Sequence, residues 1–103
     1  MESNKDLGSL IKCTNFAAIK HKNQTRKDQE RTPYINHPIG VANLLVEGGI
    51  SDLIVLQAAI LHDTVEDTDT TFDELYLEFG EEVTSVVKEV TDDKLLQNGK
   101  NFK

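Results

Sequence analysis

Residues 53–61 read LIVLQAAIL, and this segment constrains the fold more than any other part of the sequence. Eight of its nine side chains are apolar, so a helix formed here is apolar over nearly its whole surface. A helix of that kind is normally buried at the centre of a domain. Ser51 is a good N-cap residue, so we expect a central helix that follows Ser51 and carries His62 and Asp63 at its C-terminal end.

The spacing of apolar residues predicts two helices before this central one. A three-then-four spacing indicates a first helix from about Asp6 to Lys22, and residues 23–32 form a polar loop. Pro38 suits the first turn of a second helix, because the missing N–H of proline costs nothing there. The two glycines at 48–49 end that helix.

Two further helices are predicted after the central one. The segment Thr71–Glu74 matches a capping box, and the helix that it opens ends at Gly80. Valines at 83, 86, 87 and 90 have helical spacing, which is a stronger signal here than the preference of valine for strands. With no convincing strand pattern, the predicted fold class is all-α with about five helices, and residues 95–103 are predicted to be a frayed tail.

Composition narrows the choice of partners and compartment. The net charge of −7 argues against nucleic acid as a partner, although seven of the eleven Lys and Arg residues precede His37 and can select a small anion. No apolar run approaches the roughly 20 residues of a membrane span, and the N-terminus lacks the pattern of a secretion signal. Cys13 is the single cysteine, so no intrachain disulfide forms, and we expect a cytoplasmic protein without membrane contact. The oligomeric state stays open.

His62 and Asp63 are the first candidate metal ligands. A carboxylate at the end of a buried helix is costly unless it is paired, and the helix C-terminus itself disfavours negative charge. A divalent cation compensates for both effects, and imidazole with carboxylate suits zinc, manganese or iron equally. His37 is the third candidate, because a helix N-terminus favours the neutral, ligating imidazole; alone it could equally be a loop or capping residue.

Glu66 and Asp67 follow one helical turn later. If the helix continues, they share faces with His62 and Asp63. Residues 63–73 hold five acidic residues and no basic one, which suits a site completed by a metal ion, and an exposed acidic loop is the alternative. In the functional interpretation, Glu66 or Asp67 orients and deprotonates a water molecule at the metal.

The loop between the first two helices is the candidate for substrate binding. Arg26 and Lys27 offer positive charge for phosphate, and an arginine also offers a planar face for a base. Tyr34 adds a ring with a hydroxyl group, so together these residues suit a purine nucleotide with several phosphates. His21, at the end of the first helix, is predicted to be a capping or surface residue.

Four strings in this sequence resemble the HD-domain hydrolases of the RelA/SpoT group, and most of all its small stand-alone metazoan members. They are RKD at 26–28, TPYINHP at 32–38, ILHDTVEDTDTT at 60–71 and VTDDK at 90–94. The resemblance covers about residues 7–94. It implies an all-helical HD-domain fold and a manganese-dependent reaction that removes the 3′-diphosphate of guanosine 3′,5′-bis(diphosphate), leaving GDP and pyrophosphate.

The resemblance also implies a role for each matching residue. His37, His62 and Asp63 would bind Mn²⁺, Glu66 and Asp67 would handle the attacking water, and Arg26 and Lys27 would contact the guanine and the phosphates. The family often has a glycine where this chain has Arg31, which is expected to alter the loop.

The family continues for several helices beyond the last matching string, including an aspartate that completes the metal site. We therefore expect residues 1–94 to form the N-terminal half of an HD domain, with residues 95–103 as a divergent tail. The alternatives are an inactive fragment of that enzyme, an NADPH 2′-phosphatase, and another HD nucleotide phosphohydrolase.

Overall fold

The computed structural model describes residues 2–25 and 30–101, and within them the side chains of residues 5–25 and 30–91. This part of the chain has five α-helices and no β-strand, apart from an antiparallel bridge between Thr25 and Pro33. The all-α fold class is therefore confirmed. None of the helices described is long and apolar enough to cross a membrane. The helices are α1 (Glu2–Lys20), α2 (Asn36–Glu47), α3 (Leu53–Asp67), α4 (Phe72–Phe79) and α5 (Glu81–Asn101).

The central position of α3 agrees with its apolar sequence. The helix packs against α1, α2 and α5, while α4 packs on α5. Full burial of a leucine or isoleucine side chain stabilises a fold by roughly 1.5–3 kcal/mol relative to exposure. α3 therefore organises the core, to which it contributes Leu56, Ala58, Ile60 and Leu61.

The N-cap of α3 is Asp52, so the prediction of Ser51 was wrong by one residue. The Asp52 Oδ1 atom accepts hydrogen bonds from the backbone N–H groups of Ile54 at 2.8 Å and Val55 at 3.3 Å. Both residues are good capping types, and the backbone position of the first helical turn decides between them.

The C-terminal end of α3 lies nearly two turns beyond the apolar segment. The helix continues to Asp67, and the backbone N–H of Thr68 donates to the Thr64 carbonyl to close it. The Thr68 hydroxyl donates to the same carbonyl at 2.6 Å. His62, Asp63, Glu66 and Asp67 therefore all project from one continuous helix.

The end of α1 corrects the prediction for His21. The helix ends at Lys20, two residues earlier than predicted, and His21 is 1% exposed instead of lying on the surface. Cys13, Ala17 and His21 follow at steps of four and are all buried, so His21 continues the face of α1 that packs on the core.

The boundary between α4 and α5 agrees with the sequence. The Thr71 hydroxyl accepts the backbone N–H of Glu74 at 3.1 Å, as the capping box predicts. Gly80 ends α4 with a φ of +94°, a conformation that glycine adopts without strain.

α5 continues past Lys94 to Asn101, so the predicted frayed tail is helical as far as that residue. Leucine, lysine and glutamine at 94–97 are good helix formers, which explains the extension. The division of the chain at residue 94 stays a prediction.

Alanine substitutions test whether Asp52 or Ser51 is the N-cap of α3. We expect Asp52→Ala to lower the free energy of unfolding by about 1 kcal/mol, because two backbone N–H groups lose their acceptor. Ser51→Ala is the matched control and should change it by a few tenths of a kcal/mol at most. Urea denaturation followed by circular dichroism measures both, and equal losses would contradict the assignment of Asp52.

The Cys13 thiol offers a probe of the core. It is fully buried, its Sγ lies 3.6 Å from the Gln57 carbonyl oxygen, and burial raises its pKa to about 12. At pH 8 the folded chain should hold a thiolate population about a thousandfold smaller than the unfolded chain. We expect a disulfide reagent to label Cys13 rapidly in denaturant and slowly in native buffer. Equal labelling rates would show that the core is open.

Candidate metal centre

The three predicted metal ligands come together where the start of α2 meets the end of α3. The His62 Nε2 atom lies 3.0 Å from Asp63 Oδ1. The His37 Nε2 atom, from the first turn of α2, lies 3.8 Å from Asp63 Oδ2. One carboxylate therefore faces both imidazole rings, although His37 and Asp63 are 26 residues apart in sequence.

The Asp63 carboxylate is buried, with 3% of its side chain exposed. A buried carboxylate is costly unless positive charge or hydrogen-bond donors surround it. Two imidazole nitrogens and one carboxylate form a donor set that suits a first-row divalent cation. The types of residue and the burial of the charge therefore fit a metal ion.

A backbone contact sets the tautomer of His62. Its Nδ1 atom lies 2.9 Å from the Ala59 carbonyl oxygen. A carbonyl only accepts, so Nδ1 carries a proton, and Nε2 is the nitrogen left to share a proton or a bound cation with the Asp63 carboxylate. A hydrogen bond of this kind from the distal ring nitrogen is typical of histidines that bind metals.

The ligands do not form a closed cage. Among the described residues, no group of three or more His, Cys, Asp or Glu side chains stands close enough to hold a metal ion. His37 is the looser of the two histidines, because it is farther from Asp63 and 37% of its side chain is exposed. Two imidazole rings therefore face one buried carboxylate, and the site is open to solvent on the side of His37.

Glu66 and Asp67 lie on the last turn of α3, one turn beyond His62 and Asp63. Glu66 is half-buried and Asp67 is exposed. The Asp67 Oδ2 atom lies 3.1 Å from the hydroxyl oxygen of Tyr34. The predicted sharing of faces between the two pairs of residues therefore holds, because α3 continues through both.

Tyr34 links the loop to these carboxylates. Its hydroxyl lies 2.9 Å from Asp63 Oδ2 as well as 3.1 Å from Asp67 Oδ2. Burial, together with the hydrogen bond to Asp63, raises the pKa of Tyr34 above its ordinary value, so the hydroxyl stays protonated and acts as a donor. Its ring stacks on His21 at 4.8 Å between centroids and meets the His37 ring edge-on at 5.9 Å.

Gln24 also belongs to the site, although it is not among the residues predicted from the sequence. Its Nε2 donates to the Asp67 carbonyl oxygen at 2.5 Å, and its Oε1 lies 2.9 Å from His21 Nδ1. Its own carbonyl accepts the backbone N–H of Tyr34 at 2.9 Å. The available signal was the position of His21 on the buried face of α1, which required a polar partner nearby. Gln24 thus ties the loop to the end of α3.

The remaining predicted substrate contacts belong to the same loop. Arg26 and Lys27 lie outside the described residues. The loop is closed near its ends by the bridge between Thr25 and Pro33. Arg31 has a φ of +54°, in the left-handed region that glycine enters most easily.

Comparisons with known proteins agree with the four sequence strings. A family model described as HD domain matches residues 13–102. The guanosine-3′,5′-bis(diphosphate) 3′-pyrophosphohydrolase MESH1 of Xenopus tropicalis is 63% identical over 92 residues, which are 88% of this chain and 51% of that protein. The enzyme of the same name from Drosophila melanogaster is 51% identical over 89 residues, which are 85% of this chain and 50% of that protein.

A solved structure, described as a metazoan ortholog of SpoT that hydrolyzes ppGpp and plays a role in starvation responses, has the same fold. It matches with a TM-score of 0.79 and 50% identity over 84% of this chain and 49% of that one. The predicted resemblance to the RelA/SpoT group is confirmed. The chain spans about half the length of the curated relatives it matches.

Removal of the Gln24 side-chain hydrogen bonds tests whether this residue ties the loop to α3. We expect Gln24→Leu to lower the free energy of unfolding by about 1–3 kcal/mol, because the buried His21 loses its partner. Asn23→Leu makes a similar change at an exposed neighbour and should leave stability nearly unchanged. Urea denaturation compares the two variants, and equal stability would rule out the role of Gln24.

Proposed function

The chain belongs to the HD domain family, and from this we propose that it supplies the metal- and water-handling residues of a guanosine-3′,5′-bis(diphosphate) 3′-pyrophosphohydrolase. The observation that carries the proposal is the convergence of His37 and His62 on the buried carboxylate of Asp63. The name of the Xenopus relative, at 63% identity, supports the choice of substrate and reaction.

The proposed ligands are His37, His62 and Asp63, and the proposed ion is Mn²⁺. Asp63 provides a negative charge that is already desolvated, and the histidines provide neutral nitrogen donors on its two sides. A divalent cation, when bound, supplies positive charge that makes water more acidic and offsets the charge of phosphate oxygens. The donor set suits several first-row metals, so the choice of manganese rests on the family resemblance.

Glu66 and Asp67 are the proposed groups that orient the attacking water and accept its proton. Both lie one helical turn from the proposed ligands, which brings their carboxylates to the same end of α3. A general base must come within hydrogen-bond distance of the water that it deprotonates. Asp67 is exposed and can meet water directly, while the half-buried Glu66 is better placed to orient it.

The proposed substrate is a guanine nucleotide with a diphosphate at the 3′ position. Arg26 and Lys27 are proposed to bind its phosphates and base, because they belong to the basic first third of an otherwise acidic chain. The Gln24 contacts with α3 and with Tyr34 keep the start of this loop beside the acidic end of α3.

A cytoplasmic setting is part of the same proposal. Its support is the single cysteine, which excludes an intrachain disulfide and is buried as a free thiol.

Incubation of the purified chain with Mn²⁺ and guanosine 3′,5′-bis(diphosphate) tests this function. We expect pyrophosphate release that requires the metal and falls to background in His62→Ala. Asp63→Asn should abolish it as well, because the buried negative charge is lost. Asp69→Asn makes the same chemical change at a side chain that is 92% exposed and should retain activity.

Two results would contradict the proposal. Turnover that is unchanged in His62→Ala and Asp63→Asn would place the reaction elsewhere. Absence of turnover in the unmodified chain with Mn²⁺ bound would limit these residues to metal binding.

A further inference from the structure

We propose that Tyr34 is a positioning residue whose hydroxyl holds the carboxylates of Asp63 and Asp67 in place on successive turns of α3. The inference rests on the proposed function, in which Asp63 binds the ion and Asp67 handles water. It assigns Tyr34 a role different from the substrate contact that its sequence position suggests.

The two carboxylates that Tyr34 contacts carry like charges. Asp63 and Asp67 are four residues apart on one helix, and two like charges at this spacing repel each other. The Tyr34 hydroxyl lies within 3.1 Å of an oxygen of each carboxylate. Its one proton, placed between these two acceptors, reduces their repulsion and fixes their separation.

The Tyr34 hydroxyl also orients the Asp63 carboxylate. Tyr34 contacts Oδ2 at 2.9 Å, whereas the His62 Nε2 atom is nearest to Oδ1 at 3.0 Å. The hydroxyl therefore occupies one oxygen and sets the rotation of the carboxylate that presents the other oxygen to His62. Ligating carboxylates are commonly held by such a hydrogen bond.

Tyr34 is itself held in place by contacts within the protein. Its ring stacks on the buried His21, which is bonded to Gln24. Its backbone N–H donates to the Gln24 carbonyl, and the Gln24 side chain reaches the Asp67 carbonyl. A residue held from its ring, its backbone and its hydroxyl is suited to positioning other groups.

The test uses Tyr34→Phe in the full chain, with Tyr76→Phe as the matched control. Tyr76 is the only other tyrosine and is 54% exposed on α4. We expect Tyr34→Phe to weaken Mn²⁺ binding about 10- to 100-fold in a calorimetric titration, while Tyr76→Phe binds as the unmodified chain does. Thermal unfolding of each variant checks that the fold is retained.

A second variant separates the hydroxyl from the ring. Replacement of Tyr34 by 4-aminophenylalanine keeps a hydrogen-bond donor at the same ring position and should restore most of the Mn²⁺ affinity. In the hydrolysis assay, Tyr34→Phe should lower kcat with little change in KM, because a positioning residue does not bind the nucleotide. A raised KM with unchanged kcat would identify a substrate contact and overturn the inference.

The outcomes distinguish this inference from the proposed function. Unchanged Mn²⁺ affinity in Tyr34→Phe overturns the role of Tyr34, whether or not the chain turns over its substrate. Weaker affinity without turnover in the unmodified chain supports Tyr34 and contradicts the hydrolase proposal. Failure of the unmodified chain to bind Mn²⁺ contradicts both.

Discussion

The burial of one carboxylate, that of Asp63, is the constraint on which the site depends. The apolar sequence of α3 places this helix at the centre of the fold, and the same burial removes Asp63 from water. Three side chains then approach its two oxygens: His62 from the same helix, His37 from α2 and Tyr34 from the loop before α2. The same helix therefore supplies apolar side chains to the core and the buried carboxylate to the candidate site.

Most of the fold follows from local patterns that act within a few residues. The apolar period fixes the helices, and the capping box at Thr71 fixes the start of α4, because both depend on near neighbours in sequence. The choice between Ser51 and Asp52 as N-cap depends on backbone angles that residue types do not specify. The stacking of the Tyr34 ring on His21 joins residues 13 positions apart and arises only in the folded chain.

The candidate site likewise combines features that local sequence predicts with features that arise only from tertiary structure. Histidine and aspartate in adjacent positions indicate a metal centre, and helical spacing indicates that Glu66 and Asp67 lie beside it. The position of His21 on the buried face of α1 indicates that a polar partner is needed, but a polar residue in a polar loop has no distinctive pattern, so the sequence does not single out Gln24 as that partner. Tyr34 is predicted to contact substrate, and its hydroxyl contacts with Asp63 and Asp67 depend on tertiary structure.

Two properties of the proposed site, the spacing of its residues on α3 and the choice of substrate, depend on different segments of the chain. His62, Asp63, Glu66 and Asp67 keep their relative spacing through the rise of one helix, about 5.4 Å per turn, and not through the conformation of a loop. The basic residues proposed to select the substrate belong to the segment between α1 and α2. Substitutions at positions 26 and 27 can therefore alter the proposed choice of substrate without moving the backbone of α3, whereas Gln24 and Tyr34 in the same segment contact α3 and cannot be varied as freely.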